Sequence, residues 1–189
     1  MVDDCKSIHP QKEKTIIYVG RIDNGFKNVD KLIRIWGKVA PKLPEWKFVV
    51  CGQGREFEFD RQLIENENIP RCEMVGLVNP EEYYKKASII LMASSSSEGW
   101  GLVLVEAQQY GVVPIVLNTY ASARDIVKDG KNGLIVEPTK DWQDRIGKQI
   151  ITLALNDKMR QEMSIASTQS VKQYNINIIG QQWLKLIND

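Results

Sequence analysis

SIILMASSSSEGWGLVLVEAQQYGVVPIVLN (Ser88–Asn118) holds two continuous apolar runs, SIILMAS and VVPIVLN, on either side of a glycine-punctuated loop and an apolar helix start. Strands covered on both faces read as continuous apolar runs rather than alternating ones, so the stretch predicts strand, loop, helix and strand within a parallel sheet. The loop carries Glu98 and then Trp100 between Gly99 and Gly101. The helix carries a second carboxylate, Glu106, flanked by Val103, Leu104, Val105 and Ala107. Burying an unpaired carboxylate is strongly unfavourable, so Glu106 either points out between its apolar neighbours or has partners in a cleft.

Working outward, the same alternation recurs. TIIYVG, KFVVCG, CEMVG and GLIVEP read as further buried strands. KNVDKLIRIWGKV places Val29, Leu32, Ile33, Trp36 and Val39 at helical spacing, REFEFDRQLIENEN is helical, and NPEEYYKKA opens with an Asn-Pro helix start. From Asp141 onward two or three helices are expected, ending in IIGQQWLKLIND. The opening MVDDCKSIHPQKEK is polar and unpatterned, so residues 1–14 read as a loose linker and 15–189 as one domain. The expectation is an α/β fold, a Rossmann-like doubly wound parallel sheet of about six strands with a helical C-terminal tail.

Composition narrows the function classes. The 189 residues are 43% hydrophobic and 26% charged with a formal net charge of +1, which supports one core and no general nucleic-acid affinity. A single histidine, His9, stands in the polar opening, which removes most Ser-His-Asp, Cys-His and His-metal chemistries. The three cysteines, Cys5, Cys51 and Cys72, are widely spaced with no C-x-x-C, and Cys51 and Cys72, in apolar strand-like runs, read as buried free thiols of a reducing compartment. No segment has the roughly 18 apolar residues a membrane-spanning helix needs.

Ligands of doubly wound sheets bind at the carboxyl ends of the strands, so the loops there hold the candidate site. They read GRIDNGFKN with Gly20, Arg21 and Lys27, CGQGRE with Gly52 and Gly54, GLVNP with Val78 and Asn79, SSSSEGWG, and NTYASAR. Glycine, asparagine, serine and cations gather as they do around a phosphate. Taken singly each piece has a plainer meaning: GQG as a tight turn, Arg21 and Lys27 as solvated cations, the serines as a turn, Glu98 as an acid favoured near a helix start. A nicotinamide enzyme would need G-x-G-x-x-G straight after the first strand; here the first strand ends GRIDNG, and the G-x-G follows the second.

Together, YVGRIDNGFKNVDKLIRIW, VVCGQGRE, EMVGLVNPEEYYKKASIILMASSSSEGWGLVLVEAQQYGVVPIVLN and DIVKDGKNGLIVEP resemble the C-terminal domain of the glycosyltransferase group 1 family (family 4, one half of a GT-B fold). The resemblance runs from Thr15 to Pro138, and its most specific part is the E-x7-E pair Glu98 and Glu106. It implies a nucleotide-diphosphate-sugar donor, with uridine as the expected base. Arg21 and Lys27 would meet the diphosphate, Glu98 the donor hexose and Glu106 the ribose hydroxyls. The backbone of Gly99, Trp100, Gly101 and Leu102 would meet sugar and phosphates, and Val78 and Asn79 the base. No metal and no other cofactor is implied. The chain departs from the family at Ala121 and Ser122, where many relatives carry a glycine pair, and at Trp100, where Phe or Tyr is commoner.

The resemblance also implies a separate N-terminal, acceptor-binding domain that these residues do not include. The fragment alone is expected to bind donor and to transfer little or none. The full-length protein would be a retaining hexosyltransferase of cell-surface polysaccharide synthesis, cytoplasmic, with peripheral membrane association. The apolar stripe Trp183, Leu184, Leu186 and Ile187 either packs on its own core or pairs the fragment into a dimer. A nucleotide-sugar epimerase half-domain and a non-catalytic nucleotide-sugar binding module are the alternatives.

Overall fold

The apolar runs form the sheet. The structure, a computed structural model, describes residues 12–95 and 98–188; Cys5, His9, Ser96, Ser97 and most of the opening stretch lie outside the described residues. Six strands, β1 (Thr15–Val19), β2 (Lys47–Cys51), β3 (Cys72–Gly76), β4 (Ile89–Met92), β5 (Val113–Leu117) and β6 (Leu134–Val136), lie in the order β3-β2-β1-β4-β5-β6. Every pairing is parallel. The order reverses between β1 and β4, and that switch point is where a doubly wound sheet opens a crevice at its strand ends.

Both faces of the sheet are covered, which explains the lack of alternation in the strands. Ile16 and Tyr18 of β1, Ile89 and Leu91 of β4, and Val113, Ile115 and Leu117 of β5 face one core. That core is closed by α1 (Val29–Val39), α2 (Phe57–Asn66) and α6 (Trp142–Leu155). Ile17, Ile90, Met92 and Val116 face the other, closed by α3 (Pro80–Lys86), α4 (Leu102–Gln109) and the four-residue α5 (Ala123–Ile126). Trp36 is fully buried, and its indole N–H donates to Pro70 O at 2.8 Å, so the largest core side chain carries no unpaired polar atom.

The tail resolves into α6, α7 (Asp157–Ser170), a 3-10 turn at Val171–Tyr174 and α8 (Ile176–Asn188). The domain begins slightly before Thr15: Lys12 Nζ donates to Tyr84 O at 2.7 Å, and Glu13 N donates to Lys86 O at 2.8 Å. Cys51 is buried and Cys72 half-buried, both are free thiols, and burial pushes each up to about 12, which suits packing rather than nucleophilic work. Among the described residues no helix is long and apolar enough to cross a membrane.

Candidate functional site

The β1 and β4 loops are stitched together at the switch point. Asn28, in the left-handed region at φ 54°, donates from Nδ2 to Ala93 O at 2.7 Å, and Ser95 N donates to Phe26 O at 2.6 Å. This brings Lys27 to Glu98, 71 positions away, in an ion pair with both side chains mostly buried. Lys27 Nζ also lies 3.4 Å from Ser94 Oγ. Burial by itself would push the Glu98 carboxyl up; hydrogen bonds from Lys27 and Ser94, with the Lys27 and Arg21 charges, hold it below its ordinary value. Arg21 stands at the mouth, two-thirds exposed, 3.2 Å from Asp23.

Gly52 and Gly54 have a specific steric job. A Cβ on Gly52 would stand 1.8 Å from Gly20 O, and one on Gly54 would stand 1.9 Å from Ile22 O. The β2 loop therefore lies directly against the β1 loop, with Ile22 N donating to Gln53 O at 2.9 Å. The space opened by these glycines is filled by the chain's own backbone.

Gly101, at φ 77°, is the N-cap of α4 and supplies no side-chain cap to the first amides of the helix. Behind it, the β5 loop braces the β4 loop through two hydroxyls. Thr119 Oγ1 donates to Ser94 O, and the Ser122 hydroxyl lies 2.8 Å from Gly99 O and 3.1 Å from Trp100 O. Ser122, the departure from the family's glycine pair, thus holds the loop that carries Trp100. The Trp100 ring meets Tyr174 edge-on at 5.7 Å and is 43% exposed. Gly99 is exposed with open space beside its Cα, and Leu102 is exposed too.

Glu106 resolves its two sequence readings by combining them. It is exposed, yet its Oε2 accepts from Tyr84 Oη at 3.2 Å. Burial pushes the Tyr84 phenol up, and the neighbouring Glu106 adds to this, so Tyr84 stays a donor. Asn79 caps α3 by accepting from Glu81 N at 3.1 Å, and half-buried Val78 packs on the second core. Glu106 is therefore tied to α3, the helix that follows the Val78–Asn79 loop, while Glu98 is tied to the β1 loop. Among the described residues no cluster of three His, Cys, Asp or Glu side chains is placed to hold a metal ion.

Sequence reasoning missed Tyr84, Thr119 and the pair of half-buried Asn24 with fully buried Asp60, and it marked Ser122 only as a departure from the family. Only Asp60 left a signal: in FEFDRQLIEN it sits on the stripe with Phe57 and Ile64, where a carboxylate is out of place.

Known proteins resemble this chain in sequence and in fold. The glycosyl transferases group 1 family matches residues 3–170. An uncharacterized glycosyltransferase of Haemophilus influenzae is 27% identical over 173 residues, 91% of this chain and 48% of that protein. An alpha-1,4-N-acetyl-D-galactosaminyltransferase of Campylobacter jejuni, named for a GalNAc-containing acceptor on PP-undecaprenol, is 30% identical over 180 residues, 94% of this chain and 48% of that protein. The chain thus spans about half the length of these relatives. The pneumococcal O-GlcNAc transferase GtfA, solved with UDP and GlcNAc, superposes with a TM-score of 0.89 at 23% identity, over 99% of this chain and 38% of that one. With the family matched over most of its length, its loops converging at the switch point of a doubly wound sheet, the chain belongs to the glycosyl transferases group 1 family.

Proposed function

We propose that the chain is the donor-binding half of a retaining, metal-independent glycosyltransferase. The full-length enzyme moves a hexose from a nucleotide-diphosphate sugar, uridine-based, to a glycan or lipid-linked acceptor held mainly by an N-terminal domain. It acts at the cytoplasmic face of the membrane in cell-surface polysaccharide synthesis. One observation carries the reading: the two carboxylates of the E-x7-E pair, one before the start of α4 and one within it, are tied to different elements, Glu98 to Lys27 of the β1 loop and Glu106 to Tyr84 of α3. Two carboxylates with different partners suit a ligand with sugar at one end and ribose at the other.

The roles follow from the contacts. An ammonium has three donors; Lys27 directs two at Glu98 and Ser94, which leaves one for a phosphate oxygen. Arg21, exposed at the mouth, adds a planar fork for the same diphosphate. As the bond from the sugar's anomeric carbon to the diphosphate breaks, negative charge grows on the departing oxygen. Lys27, Arg21 and the first amides of α4 meet that charge, the work a metal does in other transferases. Glu98 faces the hexose, and Glu106 accepts from the ribose hydroxyls. The UDP bound by GtfA and the lipid-linked acceptor in the name of the Campylobacter relative support the substrate classes. Relatives about twice as long support a second domain.

Calorimetric titration with UDP, GDP, ADP and NAD tests the reading. One nucleoside diphosphate should bind, and Glu106→Ala should lose it. Binding of NAD alone would overturn the proposal.

A further inference from the structure

Asp60, on α2, is fully buried, and nothing in the donor-site chemistry accounts for it. Its Oδ1 accepts from Asn24 Nδ2 at 2.8 Å, across 36 positions. Asn24 Oδ1 in turn accepts from Asp30 N at 3.1 Å, in the first turn of α1. Asn24 therefore sits between a buried carboxylate and a helix start, midway along the loop that begins at Arg21 and ends at Lys27. The other carboxylate oxygen of Asp60 is buried with no hydrogen-bond partner, as are Asp30 Oδ1 and Glu56 Oε2.

We propose that Asp60 is a positioning residue for the donor-diphosphate loop: through Asn24 it fixes the path of residues 21–27, and so the placement of Arg21 and Lys27. The inference rests on the donor-site reading above. Three features support a positioning role over a packing one. The partner is a loop side chain rather than a core group. The same loop is pressed against the β2 turn by the glycine contacts at Gly52 and Gly54. A leucine would fit the Phe57–Ile64 stripe without leaving an oxygen unpaired.

The charge environment makes the residue a burden on the fold. Burial pushes Asp60 up to about 6; Asn24 works against this, Asp30 of α1 and Glu56 before α2 add to it, and Arg34 of α1 lowers it slightly. Tyr18 of β1 and Cys72 of β3 also face its charge. A folded value above the unfolded one means that stability is fully present below about 3.8 and is lost as pH rises through about 6. At neutral pH the chain thus carries an ionised, desolvated carboxylate whose evident return is the tie to Asn24.

The test uses the full chain and two readouts. Without ligand, amide exchange at residues 22–28 is compared in the unsubstituted protein, Asp60→Leu and Asp60→Asn; with ligand, UDP affinity is compared in the same three. Asp60→Leu is expected to melt no lower than the parent at pH 7.5, to exchange at least tenfold faster in the loop, and to bind UDP at least tenfold more weakly. Asp60→Asn keeps the acceptor for Asn24, so it should restore both readouts to within threefold, and it should melt higher than the parent above pH 6 but alike at pH 4. Should Asp60→Leu not fold, Asn24→Ala breaks the same bond from the loop side and is expected to give the same two changes. A folded Asp60→Leu or Asn24→Ala protein with unchanged loop exchange overturns the proposal. Failure of the parent to bind any nucleoside diphosphate would instead sink the donor-site reading, with loop exchange still deciding the anchor.

Discussion

Lys27 and Glu98 form an ion pair, so each reports on the other. A charge-assisted hydrogen bond to phosphate contributes about 1.5–3 kcal/mol, so Lys27→Ala should weaken UDP binding roughly tenfold to a hundredfold by calorimetry. Glu98→Gln should behave oppositely for the bare nucleotide. It releases Lys27 from neutralisation, so UDP affinity holds or rises while any advantage of a UDP-sugar over UDP disappears; a variant that kept that advantage would remove Glu98 from the sugar subsite. The pair also has a pH signature. Glu98 is held below its ordinary value, so its stabilisation is present above the usual carboxylate range and is lost as pH falls through the lowered folded value. Melting of Lys27→Ala should therefore fall furthest below the parent at neutral pH and converge on it in acid. At this scale the sequence singled out Arg21, Lys27, Glu98 and Glu106 through the order of motifs that resembles the family, and the structure adds their contacts, Lys27 with Glu98 and Glu106 with Tyr84. The sequence was illegible where partners are ordinary residues far along the chain. Nothing in YYKK marks Tyr84 for Glu106, and nothing in TYASA marks Ser122 for Gly99.

Elements meet at the site through loops with little slack. A methyl on Gly54 would overlap the Ile22 carbonyl backbone, so Gly54→Ala should lose about 1–3 kcal/mol or more in denaturant unfolding, the usual range for overpacking. The hydroxyl braces are a gentler probe. Ser122→Ala with Thr119→Val removes both ties from the β5 loop to the β4 loop. Each hydrogen bond contributes about 0.5–1.5 kcal/mol, so the double variant should stay folded. Its UDP affinity should fall, because the amides of Gly99–Leu102 are no longer held in place; unchanged affinity would mean the loop is set by Gly101 alone. The inner strands and the longer helices were legible because burial on both sheet faces leaves an apolar run, and because Val29 to Val39 keeps a helical spacing; CEMVG, expected buried, is the edge strand β3 with Glu73 exposed. The four-residue α5 was not, since a single turn has no period to read. Nor were the breaks between α6, α7 and α8, which rest on the caps of Asn156 and the turn at Val171–Tyr174 rather than on a change of composition.

Across the whole molecule the sheet order places every candidate residue on one edge, and the tail places a different kind of surface elsewhere. The stripe that could have packed on its own core does not: Trp183, Leu184, Leu186 and Ile187 are all more than 60% exposed, and Ile176 and Ile178 are exposed as well. The main packing partner of α8 is the 3-10 turn before it. A contiguous apolar face of this kind is rare on a lone soluble domain and usually has a partner. In the proposed two-domain enzyme that partner is the N-terminal half, and the isolated chain is expected to associate with itself. Light scattering over a rising concentration series should show an apparent mass climbing above that of a monomer. Trp183→Ser with Leu184→Gln and Ile187→Lys should return it to a monomer at every concentration, with UDP affinity unchanged because all three side chains stand exposed on α8. If the substituted chain associated as before, the contact would lie elsewhere. If it lost UDP binding instead, α8 would be part of the donor site, and the division of labour between sheet edge and tail would be wrong.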